Sequence, residues 1–150
     1  MSFKRRDPSL YLVDIFLASY LIEHYAHGFK KRDELLYHRL HCDGVIREFE
    51  IIAEATNKLL KSGWLKESED FRQIVDFRNR IVHEYFGIDE EIVFDAVKSA
   101  LPEFIMRLKN ILKEKKYDLT AAIDTALLEN DRNEDIVAFL ESLKDEFKNL

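Results

Sequence analysis

One cysteine, two prolines, four glycines and one tryptophan among 150 residues exclude several kinds of protein at the outset. A single cysteine, Cys42, cannot close a disulfide within the chain, and it stands outside any Cys-x-x-Cys metal spacing. So few glycines and prolines leave too little turn chemistry for a many-stranded fold. Long hydrophobic runs are missing too. The best stretch, Leu10 to Ile22, is interrupted by Asp14 and falls short of the roughly 18 to 20 residues that a bilayer span demands. The start, Met1-Ser2-Phe3-Lys4-Arg5-Arg6, is basic like a signal n-region, but the segment after it lacks a small-residue cleavage site and carries Asp14, Glu23 and His24. We therefore expect no export, no membrane and a cytoplasmic location.

What is present is an apolar share of 47% beside a charged share of 35%, enough material for one helical core and not for two large domains. Twenty-three Lys and Arg against 29 Asp and Glu leave a net charge of -6, so the field of the whole molecule repels a phosphate backbone. Contact with a nucleic acid would need a local cationic patch.

Punctuation along the chain predicts helices. Asp7 offers an N-cap with Pro8 at the first helical position, and Gly28 offers a stop, which gives a first helix from Pro8 to His27. Leu12, Ile15, Phe16 and Ile22 lie on one of its sides and Leu10, Val13, Leu17 and Leu21 on the other, so it is expected to be buried on two sides. Behind the basic turn Lys30-Lys31-Arg32, Asp33 caps a long second helix, with the stripe Cys42, Val45, Ile46, Phe49, Ala53 and Leu60, that stops near Gly63. Gly44 inside that helix costs about 1 kcal/mol against Ala and points to close helix packing. A third helix covers Ser68 to Tyr85 and ends at Gly87. The fourth begins at Asp89, where Glu90 and Glu91 suit the positive helix end, and Pro102 is expected to kink it. Leu119 to Leu150 reads as two shorter amphipathic helices, with Ile136, Phe139, Leu140, Leu143 and Phe147 on one side of the last. The expected fold is all-α: an antiparallel bundle of four main helices with a C-terminal helical appendage. It forms one domain over 1–150, with its core at about 9–112 and its tail at about 119–150.

There is no Gly-rich phosphate loop, no His-Glu-x-x-His and no carboxylate pair beside a Gly-Asp turn, which argues against the common nucleotide-binding enzymes. His24 and His27, like His38 and His41, stand three residues apart and share a helical face in pairs, but no third ligand continues either pattern, so no metal site is expected.

The segment Asp76 to Gly87 is different. On a helical wheel Phe71, Ile74, Val75, Val82 and Tyr85 form an apolar stripe, and Arg78 falls at its centre. A desolvated guanidinium needs an answer. Either a carboxylate, Glu54 or Asp14, pairs with it, or the stripe faces a groove that receives an anion, for which the planar fork of Arg is suited. His83 lies five residues on, about 140° around the helix, so the two share a cleft only if the helix loosens before Gly87 or two copies meet across a twofold axis. We favour the second. An imidazole there can take a proton from a ribose 2′-hydroxyl and return one to the leaving oxygen without a metal, while Arg78 stabilises charge on phosphorus.

The spacing Arg-x-x-x-x-His-x-Tyr, filled by Arg78, His83 and Tyr85, resembles the signature of the HEPN superfamily, and within it of HepT-like toxins paired with a minimal nucleotidyltransferase antitoxin. Asn79 after the arginine, Tyr85-Phe86-Gly87 at the close, Asp89 opening the next helix, and Val45-Ile46-Arg47 through Ala53-Glu54-Ala55 in the second helix agree with it; the likeness covers about Ser9 to Leu112. It implies a homodimeric, metal-independent endoribonuclease without a cofactor, with RNA as substrate, Arg78 and His83 catalytic, and Asn79 and Arg80 supporting. It also implies that the cognate antitoxin attaches AMP to Tyr85 and so silences the cleft by bulk and charge. The tail 119–150 departs from the shorter family pattern; docking the antitoxin, extending the dimer and covering the cleft are its open roles.

Plainer readings stand beside these. Arg78 as an internal ion-pair partner, His83 as a cation favoured by a helix C-terminus, and Tyr85 and Phe86 as core or interface aromatics describe a helical oligomerisation module. Arg72, Arg80 and Lys30-Lys31-Arg32 are solvated charges that guide RNA only if the fold gathers them around the cleft. The alternative function is a non-catalytic nucleotide- or substrate-binding partner of a nucleotidyltransferase.

Overall fold

A computed structural model describes residues 7–83 and 90–148, excepting the side chains at 32, 33, 36, 78, 80–83, 90 and 91. The first helix, α1 (Pro8–Ala26), starts as its sequence predicts. The Asp7 carboxylate accepts hydrogen bonds from the Ser9 N–H at 2.9 Å and the Ser9 hydroxyl at 2.6 Å. These two donors hold the Asp7 carboxyl below its ordinary range. Removing the cap in Asp7→Ala is expected to lower stability by about 1 kcal/mol in urea unfolding at neutral pH. Because the folded-state value is the depressed one, this contribution is present above the unfolded pKa of roughly 3.9. It fades as the pH falls through the lowered native value, so the two urea midpoints should converge in acid.

The expected first side of α1 is buried, through Leu12, Ile15, Phe16 and Ile22, with Val13, Ala18 and Ala26, whereas Leu10, Leu17 and Leu21 of the expected second side are only half-buried. The helix is central: Arg39–Lys61 (α3), Leu101–Lys115 (α6), Thr120–Glu129 (α7), Glu134–Phe147 (α8) and a π-helical turn all pack on it. Gly28 ends this segment at φ +86°, a left-handed conformation that a side chain would strain.

The long second helix expected behind Asp33 is instead two helices, α2 (Arg32–Tyr37) and α3 (Arg39–Lys61), broken at His38 with φ −98° and ψ 72°. The reason is packing. Leu35 on α2 is buried and α2 lies against α5 (Glu90–Asp95), whereas α3 runs antiparallel along α1; one straight helix cannot serve both neighbours. The close approach signalled by Gly44 is present, since a Cβ there would stand 3.0 Å from Cδ2 of the Tyr25 ring.

α4 (Glu69–His83) returns antiparallel to α3, and the rings of Phe49 and Phe77 meet edge to face at 5.0 Å. Its expected end at Tyr85 and Gly87, and the expected helix start at Asp89, lie outside the described residues. α5 (Glu90–Asp95) continues through a π-helical turn, Ala96–Ala100, into α6 (Leu101–Lys115). The expected kink at Pro102 takes that form. Proline has no N–H for the carbonyl four residues back and crowds it, and the wide turn relieves this, with the Leu101 N–H donating to the Ala96 carbonyl.

α7 (Thr120–Glu129) and α8 (Glu134–Phe147) form the tail. The Asn133 side chain caps α8 by accepting from the Ile136 N–H at 3.1 Å. The tail docks on α1: Tyr20 stacks on Phe139 at 4.6 Å, Phe16 meets Phe147 at 6.0 Å, and Lys109 on α6 pairs with Glu146 at 3.0 Å. Ile123, Leu140, Leu143 and Phe147 thereby join the same hydrophobic cluster as Leu12, Phe49 and Leu108. The architecture is an all-α, HEPN-like antiparallel bundle with its C-terminal helices laid against the first.

Candidate functional site

The apolar face of α4 explains how the motif is held. Phe71 and Val75 are buried, Ile74 and Phe77 half-buried, and Phe71 packs edge to face on Phe104 of α6 at 5.9 Å. Arg107 lies 4.9 Å over the Phe71 ring and pairs with Asp70. Position 78 follows Phe71 by seven residues and Val75 by three, so it continues this stripe. The backbone is α-helical without interruption from Glu69 to His83, which sets the Cα atoms of Arg78 and His83 about 140° apart around the axis and about 7.5 Å along it. No loosening intervenes between them. Asn79 is exposed; the side chains of Arg78, Arg80 and His83, and all of Tyr85, lie outside the described residues. Of the carboxylates offered as partners for Arg78, Asp14 is half-buried on α1 and Glu54 is exposed on α3.

The register between α3 and α4 decides what surrounds the motif. With Phe49 opposite Phe77 and the helices antiparallel, the six further residues to His83 reach the level of about residue 43 on α3. The end of α4 therefore reaches the level of the first turn of α3. Here Phe29, His38 and His41 form a ring cluster: Phe29 lies 5.0 Å from His38 and 5.7 Å from His41, and the two imidazoles meet at 5.8 Å, nearly perpendicular. Tyr37 beside them is 88% exposed. The helix pattern missed this cluster because it treated residues 33–62 as one helix. The signal was the interleaving of Phe29, Tyr37, His38 and His41 with Lys30, Lys31 and Arg39.

Two cavities flank the bundle. A groove of 790 Å³ lies between α4 and the π-helical turn, walled by Phe49, Ile74, Phe77 and Phe104 and rimmed by Asp70, Asp76, Asp95 and Glu103 against Arg107. A second, of 560 Å³, lies at the end of α1 and takes in Glu23, His24, His27 and Lys98. The two histidine pairs thus belong to separate places, and among the described residues no three His, Cys, Asp or Glu side chains gather as a metal site. Arg72 does not join the motif: Glu67 holds it at 2.8 Å, at the opposite end of α4. On the seam of α1 and α3, burial pushes the Glu48 carboxyl above its ordinary range against the pull of Arg47. Burial, helped by the charge of Glu48, likewise pushes the Tyr25 phenol up. Among the described residues no helix is long and apolar enough to cross a membrane.

Comparison with known proteins bears on this arrangement. Residues 17–111, from the middle of α1 to near the end of α6, match the family described as ribonuclease HepT-like. A protein of Caldanaerobacter subterraneus subsp. tengcongensis named "Putative RNase" is 33% identical over 72 residues, 47% of this chain and 64% of that one. A "Gamma-glutamylcyclotransferase and putative RNase" of Methanocaldococcus jannaschii is 29% identical over 111 residues, 73% of this chain and 50% of its own length. A "Probable ribonuclease HepT" of Thermococcus cleftensis is 28% identical over 115 residues, 73% of this chain and 99% of its own. The match thus spans between one half and two thirds of the first two relatives. No solved structure matches the chain. With the match covering the four main helices and the Arg78 to His83 segment between them, the chain belongs to the ribonuclease HepT-like family.

Proposed function

We propose that the chain is an endoribonuclease, the toxin of a toxin–antitoxin pair, that works as a homodimer in the cytoplasm without a metal or cofactor. The observation that carries this reading is the Arg78, His83, Tyr85 spacing in the sequence of a chain of the ribonuclease HepT-like family. His83 takes the proton of a ribose 2′-hydroxyl. That oxygen attacks the adjacent phosphorus, a 2′,3′-cyclic phosphate forms, and the bond to the 5′-oxygen breaks. The departing oxygen receives the proton back from His83, and Arg78 stabilises the charge on the phosphoryl oxygens. Asn79 and Arg80 hold the neighbouring phosphates. The angular gap between Arg78 and His83 favours a cleft shared by two subunits. AMP attached to Tyr85 by a nucleotidyltransferase antitoxin adds a bulky anion beside the clamp and blocks it.

Expression of the chain alone is expected to stop growth, and co-expression with a small nucleotidyltransferase encoded beside it to restore growth. Incubation with that partner and ATP should add AMP mass to the Tyr85 peptide, and Tyr85→Phe should prevent it. Unimpaired growth would favour the second reading, to which the net charge of -6 lends support: a non-catalytic nucleotide- or substrate-binding partner of the nucleotidyltransferase.

A further inference from the structure

We propose that the surface formed by Lys30, Lys31, Tyr37, His38, Arg39 and His41 is the platform along which single-stranded RNA enters the cleft. Tyr37 stacks on a base and the three cations follow the phosphates. The inference rests on the ribonuclease reading above and extends it to how substrate is held.

Exposure is the first ground. Tyr37 and Leu40 are 88% and 82% exposed, although each carries enough apolar surface to reward burial. A single exposed ring means little; one beside an ordered ring cluster and a row of cations means more. Half-buried Phe29 contacts both His38, the chain neighbour of Tyr37, and His41, so two further flat rings are held at the surface. Aromatic faces within a cationic strip are the recurrent construction for binding single strands, because every base has a face to stack.

Charge is the second. Residues 28–42 carry four Lys and Arg against two carboxylates, in a chain of net charge -6. One of those carboxylates, on Glu34, is turned to the backbone N–H of Lys30 at 2.9 Å. Arg39 is 89% exposed and its ion pair with exposed Asp43 is long, at 3.9 Å, so a phosphate can compete for its guanidinium. The 790 Å³ groove repels a phosphate chain with Asp76, Asp95 and Glu103, while its Arg107 is occupied by Asp70. A strand reaching Arg78 and His83 is therefore drawn over α2.

Position is the third. The break at His38 lets α2 leave the line of α3 and lie on α5, the helix that comes after the motif segment in the chain. The register of α3 and α4 puts His41 within one turn of the level of His83.

The test uses the full chain carrying Arg78→Ala, so that RNA stays whole, and fluorescence anisotropy of a labelled oligouridylate. Tyr37→Ala in that background should weaken binding about 5- to 100-fold, the loss expected for one stacking ring. Lys30→Ala with Lys31→Ala should lower the slope of log affinity against log salt by about 1.4, the share of two phosphate contacts on a single strand. Far-UV helicity should not change, because all three side chains are exposed. With Arg78 intact, Tyr37→Ala should raise KM for the long oligonucleotide and leave cleavage of a dinucleotide, too short to reach the platform, as in the parent. Unchanged binding by both variants of a chain that does cleave RNA would overturn the platform and leave the ribonuclease reading standing. Intact RNA binding with lost co-purification of the nucleotidyltransferase would assign the surface to protein docking and overturn the proposal equally. Failure of the parent to bind or cleave RNA would remove both readings together.

Discussion

Arg78→Ala is expected to reduce RNA cleavage at least about 100-fold, the scale seen when a charge-stabilising donor is removed from a reacting centre. Helicity and self-association should be retained. The position makes the outcome diagnostic. It continues the stripe of Phe71 and Val75, which are buried, so an arginine here either answers a carboxylate inside the bundle or borders a cleft. If it were an internal ion-pair partner, the variant would leave its carboxylate unanswered and lose stability. Cleavage assays and urea unfolding on the same preparation separate the two: activity falls with stability kept in one case, stability falls in the other. His83→Ala should lose activity on a similar scale, about 10²- to 10⁴-fold, as for a general base. Parent activity should survive a chelator.

Phe16→Ala is expected to cost about 3–5 kcal/mol, measured as a large fall in the urea midpoint. Phe16 is 1% exposed at the centre of α1, its ring meets Phe147 of α8 at 6.0 Å, and the Lys109 ammonium lies 6.0 Å above it. Truncation opens a cavity where the bundle and the tail meet, and three helices hold its walls apart. Limited proteolysis should then cut α8 early, since Phe147 loses the ring it packs against. A loss below about 1 kcal/mol would mean that the walls collapse into the space, and that the tail contributes little to the core.

Much of the fold was legible because it is written in local chemistry. Asp7-Pro8 starts α1, and Gly28 and Gly63 stop their segments with φ of +86° and +81°, conformations that other residues avoid. The all-round apolar character of α1 correctly announced a central helix. The break at His38 was not legible. Residues 36–40, Leu-Tyr-His-Arg-Leu, hold no glycine or proline, and the interruption comes from α2 and α3 answering to different neighbours. Pro102 gave the right disturbance but not its form, since relief is taken up in the residues before it as a π-helical turn. The amphipathic faces of the tail were plain in Ile136, Leu140, Leu143 and Phe147, while the face they would meet was not, because Phe16 had already been given to a bundle that looked complete and Tyr20 to no face at all.

The motif itself was legible as a spacing, and its setting was not. Nothing in the one-dimensional pattern aligned His83 with the first turn of α3; that alignment comes from Phe49 facing Phe77, a tertiary register. The basic turn Lys30-Lys31-Arg32 was visible in the sequence, whereas the gathering of carboxylates around the groove beside α4 was not.

The most direct measurement is cleavage of an RNA oligonucleotide by the purified chain in a chelator, with a matched oligonucleotide carrying one 2′-deoxyribose at the cleavage site. Cleavage of the first to a 2′,3′-cyclic phosphate, no cleavage of the second, and loss of the reaction in Arg78→Ala and His83→Ala is the expected result. Cutting that ignores the missing 2′-hydroxyl, requires a divalent metal, or persists in both variants would contradict it.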